Sequence, residues 1–397
     1  MSSPRIAIVG GGIGGLAAAV CLQKAGLNCT VYEQAAEPKE VGAGIVVSPN
    51  AVRLVRRLGV LNRFLETAVP IETGWEFRRW QDGSVLSCEE MTRCEELYGE
   101  RSYFIHRADL LETMRGAVAT DRVYMGTQCI GVDVGPDAAT LHFADRSSSV
   151  ADVVIGADGV HSIVRAAVVT PGPAQYSGMC AFRALVPTEQ APALARRPVH
   201  TLWLGPDHHL VHYPVSAGRK INIVAFAPAR DFTDESWSTF ATVEELASEF
   251  RGWDPRLLEL IAHAGRPGRW ALLDRAPLTR WSKGRATLLG DAAHAMFPFY
   301  AQGAAQAIED AATLALCLAA YRNDPELALD VYQRARIPRA NRIQQLSHSR
   351  KDINHLPDGP EQQRRDAELS KGDALVRSGW IYAHDAEAAA REALAKG

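Results

Sequence analysis

Residues 6–33, IAIVGGGIGGLAAAVCLQKAGLNCTVYE, carry glycines and one carboxylate at spacings that can hold a dinucleotide. The apolar run at residues 6–9 enters Gly10-x-Gly12-x-x-Gly15, and a helical stretch follows. Gly10 suits a tight turn, Gly12 the close approach of a pyrophosphate, and Gly15 close packing of the helix on the strand. Ile13 and Gly14 complete the first helical turn, whose free N–H groups and positive dipole end face the phosphates. A second strand ends on Glu33, 18 residues past Gly15, where a carboxylate can accept from an adenosine ribose. An acid there disfavours a 2′-phosphate, so the reading is NAD or FAD rather than NADP. A glycine fingerprint alone is common. The flanking strand, helix and acid carry the assignment.

A second set of reactive side chains lies in LWLGPDHHLVHYPV, residues 202–215. Strand alternation places His209, Val211 and Tyr213 on one face and His208, Leu210 and His212 on the other. The three histidines therefore cannot share one site, and no carboxylate stands at metal-ligand spacing, so no metal centre is expected. A strand histidine is ordinarily a satisfied or surface residue, yet a neutral one beside a phenolic hydroxyl can accept its proton. Arg183, in Ala181-Phe182-Arg183, can anchor a carboxylate or serve structurally. Asp291 ends a strand before a helix, where it can accept from a ligand hydroxyl or simply cap the helix. Glu309 and Asp310 lie further along that region and read as structural.

The elements that must position these groups follow from composition and pattern. The 397 residues exceed one ordinary core and suggest two or three domains. Apolar and charged fractions of 47% and 22% are those of a soluble globular chain, and a net charge of −3 gives no case for nucleic acid or an anionic membrane. No apolar run approaches the ~20 residues of a spanning helix. The seven cysteines include no C-x-x-C pair and read as reduced cytoplasmic thiols. After residues 41–47, VGAGIVV, a helix is expected from Pro49 to Leu58, started by proline and stopped by Gly59. WEFRRW and SVLS flank Asp82-Gly83 as a hairpin, and 107–118 reads as an amphipathic helix. Residues 151–155 form a buried strand, 176–274 turn to strands with a helical stretch near 242–263, and 285–289 return to a buried strand. Helices are expected at 303–320, 325–347 and 386–395.

Three motifs in this order resemble the single-component FAD-dependent aromatic hydroxylases, the class of 4-hydroxybenzoate, salicylate and 6-hydroxynicotinate hydroxylases. They are the Gly10–Gly15 fingerprint with Glu33, Asp158-Gly159 after ADVVIGA, and Gly290-Asp291-Ala-Ala-His294 followed by Pro298 and Gln302-Gly303-Ala304. The resemblance spans roughly residues 5–345. It implies an α/β fold: a Rossmann-like FAD-binding domain (1–72, 101–175, 275–345), an inserted mixed or antiparallel sheet domain for substrate (73–100, 176–274), and C-terminal helices (346–397). It implies FAD held by Gly10, Gly12, Ile13, Gly14, Gly15, Glu33, Gly44, Arg107, Asp158, Asp291, Gln302, Gly303, Ala304 and Ala305. Arg107 reaches the ribose or pyrophosphate, unless it is a solvated surface arginine. Toward substrate the resemblance places Arg183, His209, Tyr213, Pro298 and Phe299, with His209 and Tyr213 catalytic. The implied reaction uses NADH or NADPH and O₂ to hydroxylate a phenolic acid through a flavin hydroperoxide, in a cytoplasmic monomer or homodimer. The alternatives are a reductase, dehydrogenase or epoxidase of the same fold acting on a non-aromatic substrate, an NAD dehydrogenase, and a flavin-regulated interaction module.

Overall fold

Short apolar runs bounded by glycine and polar turns become buried strands at the centre of the molecule. In the computed structural model, which describes residues 4–37, 43–170, 172, 175–230 and 239–396, Ile6–Val9 runs parallel between Val153–Gly156 and Cys29–Tyr32. Ala286–Leu288 and Ser282–Lys283 extend one side of this six-stranded sheet, and Val123–Tyr124 closes the other. Ile8, Val153, Val154 and Ile155 have no exposed surface, as strands covered by helices on both faces require. Ile13–Lys24 packs against Gly303–Ala320, and the contact depends on Gly14, where a Cβ would lie 3.3 Å from that of Ala307 and 2.7 Å from Leu289 Cδ1.

The second sheet has seven strands in the order Gly268–Asp274, Gln175–Pro187, Lys220–Pro228, His208–Val215, Val199–Gly205, Thr73–Arg79 and Val85–Glu90. All neighbours are antiparallel except Val199–Gly205 with Thr73–Arg79, so the sheet is mixed. The helices Val243–Glu249 and Pro255–Ala262 cover one face, where Leu246, Phe250, Leu257 and Ile261 join Trp203, Leu210 and Ile223 in a buried cluster. The opposite face looks toward the first sheet.

Several boundaries differ from the sequence reading. The helix expected at 107–118 ends at Arg115. The stretch near 242–263 is two helices, divided where Gly252 takes φ +84° and Asp254 caps the second. The helix from Pro325 runs on to Asn354 through an internal Pro338, crossing residue 346, where the tail was expected to begin. Three helices follow it, Pro360–Leu369, Ala374–Tyr382 and Ala386–Lys396. Two three-stranded sheets were not anticipated, Cys129–Val134 with Ala139–Phe143 and Ser148–Ala151, and Gly44–Val47 with Tyr103–His106 and Val69–Pro70. Their strands are short, and several have no clean alternation of buried and exposed positions for a period to reveal. Val41 and Gly42 lie outside the described residues.

Candidate active site

The fingerprint loop is shaped by its glycines. Gly10 sits at φ +103°, and a Cβ there would come within 2.4 Å of the Ala157 carbonyl oxygen. A Cβ on Gly15 would lie 1.9 Å from the Gly10 oxygen, so only glycine lets strand and helix close. Gly12 is different: nothing lies within 4 Å of its Cβ position, and it opens onto the cleft at the start of Ile13–Lys24. Glu33 accepts from the Gly11 N–H (Oε2, 2.7 Å) and the Ala35 N–H (Oε1, 2.8 Å), which ties the second strand's end to the loop. Asp158 turns away from this cleft. Its oxygens accept from Ser162 Oγ (2.5 Å) and the Ile163 N–H (2.7 Å), capping Ile163–Val168, while Gly159 and His161 line the cleft. Arg107 heads its helix after Tyr103–His106 and also lines the cleft. Burial lowers its guanidinium from the ordinary value, opposed by Asp291 and Glu33.

Further along, Gly290 adopts φ +59° and delivers Asp291 to the cleft. Burial raises the Asp291 carboxyl, against His294 and the arginines 107, 165 and 183. The N-terminus of Gly303–Ala320 points into the same cleft through Ala301, Gly303 and Ala304. Gln302 does not present its side chain there: Nε2 donates to Ser48 Oγ (2.8 Å), and Oε1 accepts from Asn50 Nδ2 (3.2 Å). Ala305 is likewise buried among core side chains, so both reach a ligand, if at all, through backbone. Beneath this turn lies a buried ionic network. Asp310 accepts from the Gly290 N–H (2.9 Å), pairs with His294 Nε2 (2.6 Å) and accepts from Arg336 Nε (2.7 Å). Glu309 accepts from Arg336, Arg339 and Asn50. The acidic pair is structural, as its place in the sequence suggested.

One cavity of about 390 Å³ joins Gly12, Arg107, Asp291 and Gly303 to the inner face of the second sheet. The expected alternation is present: His209, Val211 and Tyr213 line the cavity, whereas His208 meets Glu249 and Leu210 packs under the covering helices. His212 lies tilted beside Trp203, with ring centroids 6.4 Å apart. His209 lies flat on Phe226 (4.2 Å) with Phe299 edge-on (5.3 Å), and its Nδ1 is 2.6 Å from His355 Nε2. Burial, then His355 and Arg350, hold it well below the usual histidine value, so it is neutral at pH 7. Tyr213 stacks on Phe104 (4.6 Å), and burial raises its hydroxyl against the pull of Arg183. Arg183 lies over the Trp270 ring (4.2 Å); burial lowers it to about 10, which leaves it charged. Pro298 and Phe299 line the same wall. Gly44 belongs to the junction: its N–H donates to Asn222 Oδ1 (2.7 Å), and a Cβ would lie 2.4 Å from Tyr213 Cε2.

The sequence reading missed Trp75, His200 and Asn354 in the cavity wall, and Asn222 and His355, which bond to Gly44 and His209 of that wall. His200 alternates with Leu202 on a neighbouring strand, a signal that could have been read. His355 and Asn354 end a helix distant in sequence, and no local pattern points to them.

The residues fit a long flavin dinucleotide: an open glycine turn, Arg107, Asp291 and a helix N-terminus line one cleft, and Glu33 is tied to the glycine turn through the Gly11 N–H. A family model described as FAD binding domain matches residues 4–347. The chain is 42% identical over 387 residues to a 3-amino-4-hydroxybenzoate 2-monooxygenase of Streptomyces platensis, covering 96% of each chain. It is 36% identical to the 6-hydroxynicotinate 3-monooxygenase of Pseudomonas fluorescens, covering 87% of this chain and 91% of the relative. A salicylate hydroxylase substrate complex superposes with a TM-score of 0.83 at 29% identity, over 99% of this chain and 98% of that one. The chain belongs to the FAD binding domain family and, within it, to the single-component FAD-dependent aromatic hydroxylases.

Proposed function

We propose that the protein uses NAD(P)H and O₂ to hydroxylate a benzoate- or nicotinate-like ring bearing a hydroxyl, with an amino-hydroxybenzoate as the first substrate to test. A single observation carries this reading: neutral His209 and phenolic Tyr213 share one apolar cavity with the cleft fitted to FAD. FAD held here and reduced by NAD(P)H would supply the electrons that activate O₂, the source of the transferred oxygen atom. Gly12, Ile13, Gly14, Glu33 and Arg107 hold its dinucleotide end, and Asp291 with the backbone of 302–305 holds the other. The dipole of Gly303–Ala320 favours negative charge at its N-terminus, an effect of ~0.5–1 kcal/mol. Phe226, Phe299 and Trp270 enclose the substrate ring and exclude water. Arg183 takes a carboxylate in a charge-assisted bond. At His209 the substrate O–H bond breaks, the proton passes to a ring nitrogen, and the electron pair stays on oxygen to enrich the ring. Tyr213 stays protonated and donates. The seven free thiols support a reducing compartment, the cytoplasm.

The test is a screen with purified FAD-loaded protein against 3-amino-4-hydroxybenzoate, hydroxybenzoates, salicylate and hydroxynicotinates. It follows NADH or NADPH consumption against hydroxylated product. Turnover of a non-aromatic alkene, or NAD(P)H oxidation with no oxygen incorporated into any of these rings, would return the reading to a reductase or epoxidase.

A further inference from the structure

We propose that His355 is a positioning residue of the site: it fixes the tautomer of His209 so that the nitrogen left for substrate, Nε2, carries a lone pair and no proton. The inference rests on the reading that His209 accepts the substrate proton. It starts from a contact that the strand's own sequence does not contain. His355 stands just past the end of Pro325–Asn354, and its carbonyl accepts from the Asp207 N–H (3.2 Å), which clamps the helix end to the turn before His209. The two imidazoles are tilted by 40° at 4.7 Å, and Phe226 and Phe299 wall in the His209 ring.

At 2.6 Å, two imidazole nitrogens share one proton, so one ring donates and the other accepts. The charged and titratable groups that bear most on His209 are His355, Arg350, His208 and His200; those on His355, besides His209 itself, are His208, Lys351 and Arg365. None is acidic. An imidazolium is therefore disfavoured on either ring, burial first and then His208 pushing His355 to about 3, and the choice lies between neutral tautomers. The Lys351 carbonyl, one helical turn back, favours a proton on His355. With Nε2 of that ring facing His209, the proton is on Nδ1. This second contact is loose: among the described residues Nδ1 has no partner in good hydrogen-bond geometry. His355 Nε2 then accepts, His209 Nδ1–H donates, and His209 Nε2 is bare. The bond at one ring nitrogen sets the state of the other. The reverse arrangement would present an N–H to the substrate hydroxyl and leave no base.

Two measurements on the FAD-loaded enzyme decide it. ¹⁵N–¹H correlation of histidine-labelled wild type, with the His209 signals identified by their loss in His209→Gln, should show the Nδ1–H tautomer; the Nε2–H tautomer overturns the proposal. The second uses 4-hydroxy-3-nitrobenzoate, whose bound phenolate is read by absorbance. His355→Leu, which cannot accept, leaves His209 free to turn an N–H on the substrate oxygen, which should lower the bound phenol's apparent pKa by about one unit and, with no base present, lower product per NAD(P)H by ~10-fold or more, toward the cost of a misassigned tautomer. His355→Gln, whose amide oxygen can accept, should restore both, with FAD content unchanged throughout. A shift in His209→Gln without one in His355→Leu overturns this inference alone. No shift in either overturns the assignment of His209 as proton acceptor. If His355→Leu fails to hold FAD, the wild-type tautomer decides.

Discussion

Replacing Arg336 with methionine should destabilise the fold and the flavin-side loop together. Arg336 is 2% exposed and donates to Asp310 (2.7 Å), Glu309 (2.7 Å) and the Gln306 side chain (2.8 Å). Glu309 would keep two bonds from Arg339 and one from Asn50, so its charge stays compensated. Asp310 would keep only His294 and the Gly290 N–H, and a buried carboxylate would lose its arginine. Removing one partner of a buried pair costs ~3–5 kcal/mol, and the surviving contacts argue for the lower end, about 3 kcal/mol. In a chain this long each kcal/mol moves the melting temperature by about 1–2 °C, so a fall of about 3–6 °C is expected by calorimetry. FAD retention should fall with it, because Asp310 holds the amide that precedes Asp291. The pH dependence gives the sharper check. In the wild type burial pushes Asp310 up, but His294 and Arg336 outweigh it and hold the carboxyl below its ordinary value. That contribution is fully present above the unfolded value of ~3.9 and is lost only as pH falls through the lower folded one. Without Arg336, burial leaves the folded value raised, so the variant recovers stability as pH falls and the gap to wild type narrows between pH 7 and 5. A gap that is absent, or constant across that range, would refute the claim that an uncompensated Asp310 charge is its cause.

Glu33→Ala should weaken FAD binding by roughly 1.5–3 kcal/mol, about tenfold to a hundredfold, measured by flavin fluorescence titration; an unchanged Kd removes Glu33 from the site. His209→Gln should keep FAD but slow product formation ~10²–10⁴-fold while hydrogen peroxide is released. His212→Gln, on the face packed against Trp203, should stay near wild type in the same assay, and equal losses would mean the register is one residue off. Gly44→Ala should lower FAD content and turnover together, because its Cβ would meet Tyr213 Cε2 at 2.4 Å and Asn222 Cγ at 2.8 Å, both held in strands. Normal flavin content in that variant would show that the junction yields more easily than its packing implies.

Much of the cofactor half was legible because its signals are local. The run from Ile6 to Glu33 is contiguous, Gly15 answers a backbone clash within the same unit and Gly10 one with Ala157, and Pro49 and Gly59 mark a helix that starts and stops where they stand. The faces of His208–Val215 were equally readable, since a pleated strand leaves no choice once one residue is placed. Side-chain direction at strand ends and turns was not readable. Asp158 and Gln302 occupy motif positions, yet one caps a helix and the other closes a buried amide network, because the nearest donors and acceptors come from Ser162 in one case and from Ser48 and Asn50 in the other. The sequence alone carries the dinucleotide turn, the strand periodicity and the order of motifs, all set by neighbours within a few residues. Strand periodicity alone does not say which face of the second sheet meets the cleft, which only the resemblance implied, and that His355 reaches His209 across 146 residues of chain came only from packing. Helices 243–249 and 255–262 bury one face of that sheet and leave the other to the cavity, and long-range contacts of this kind leave no period in the chain to read.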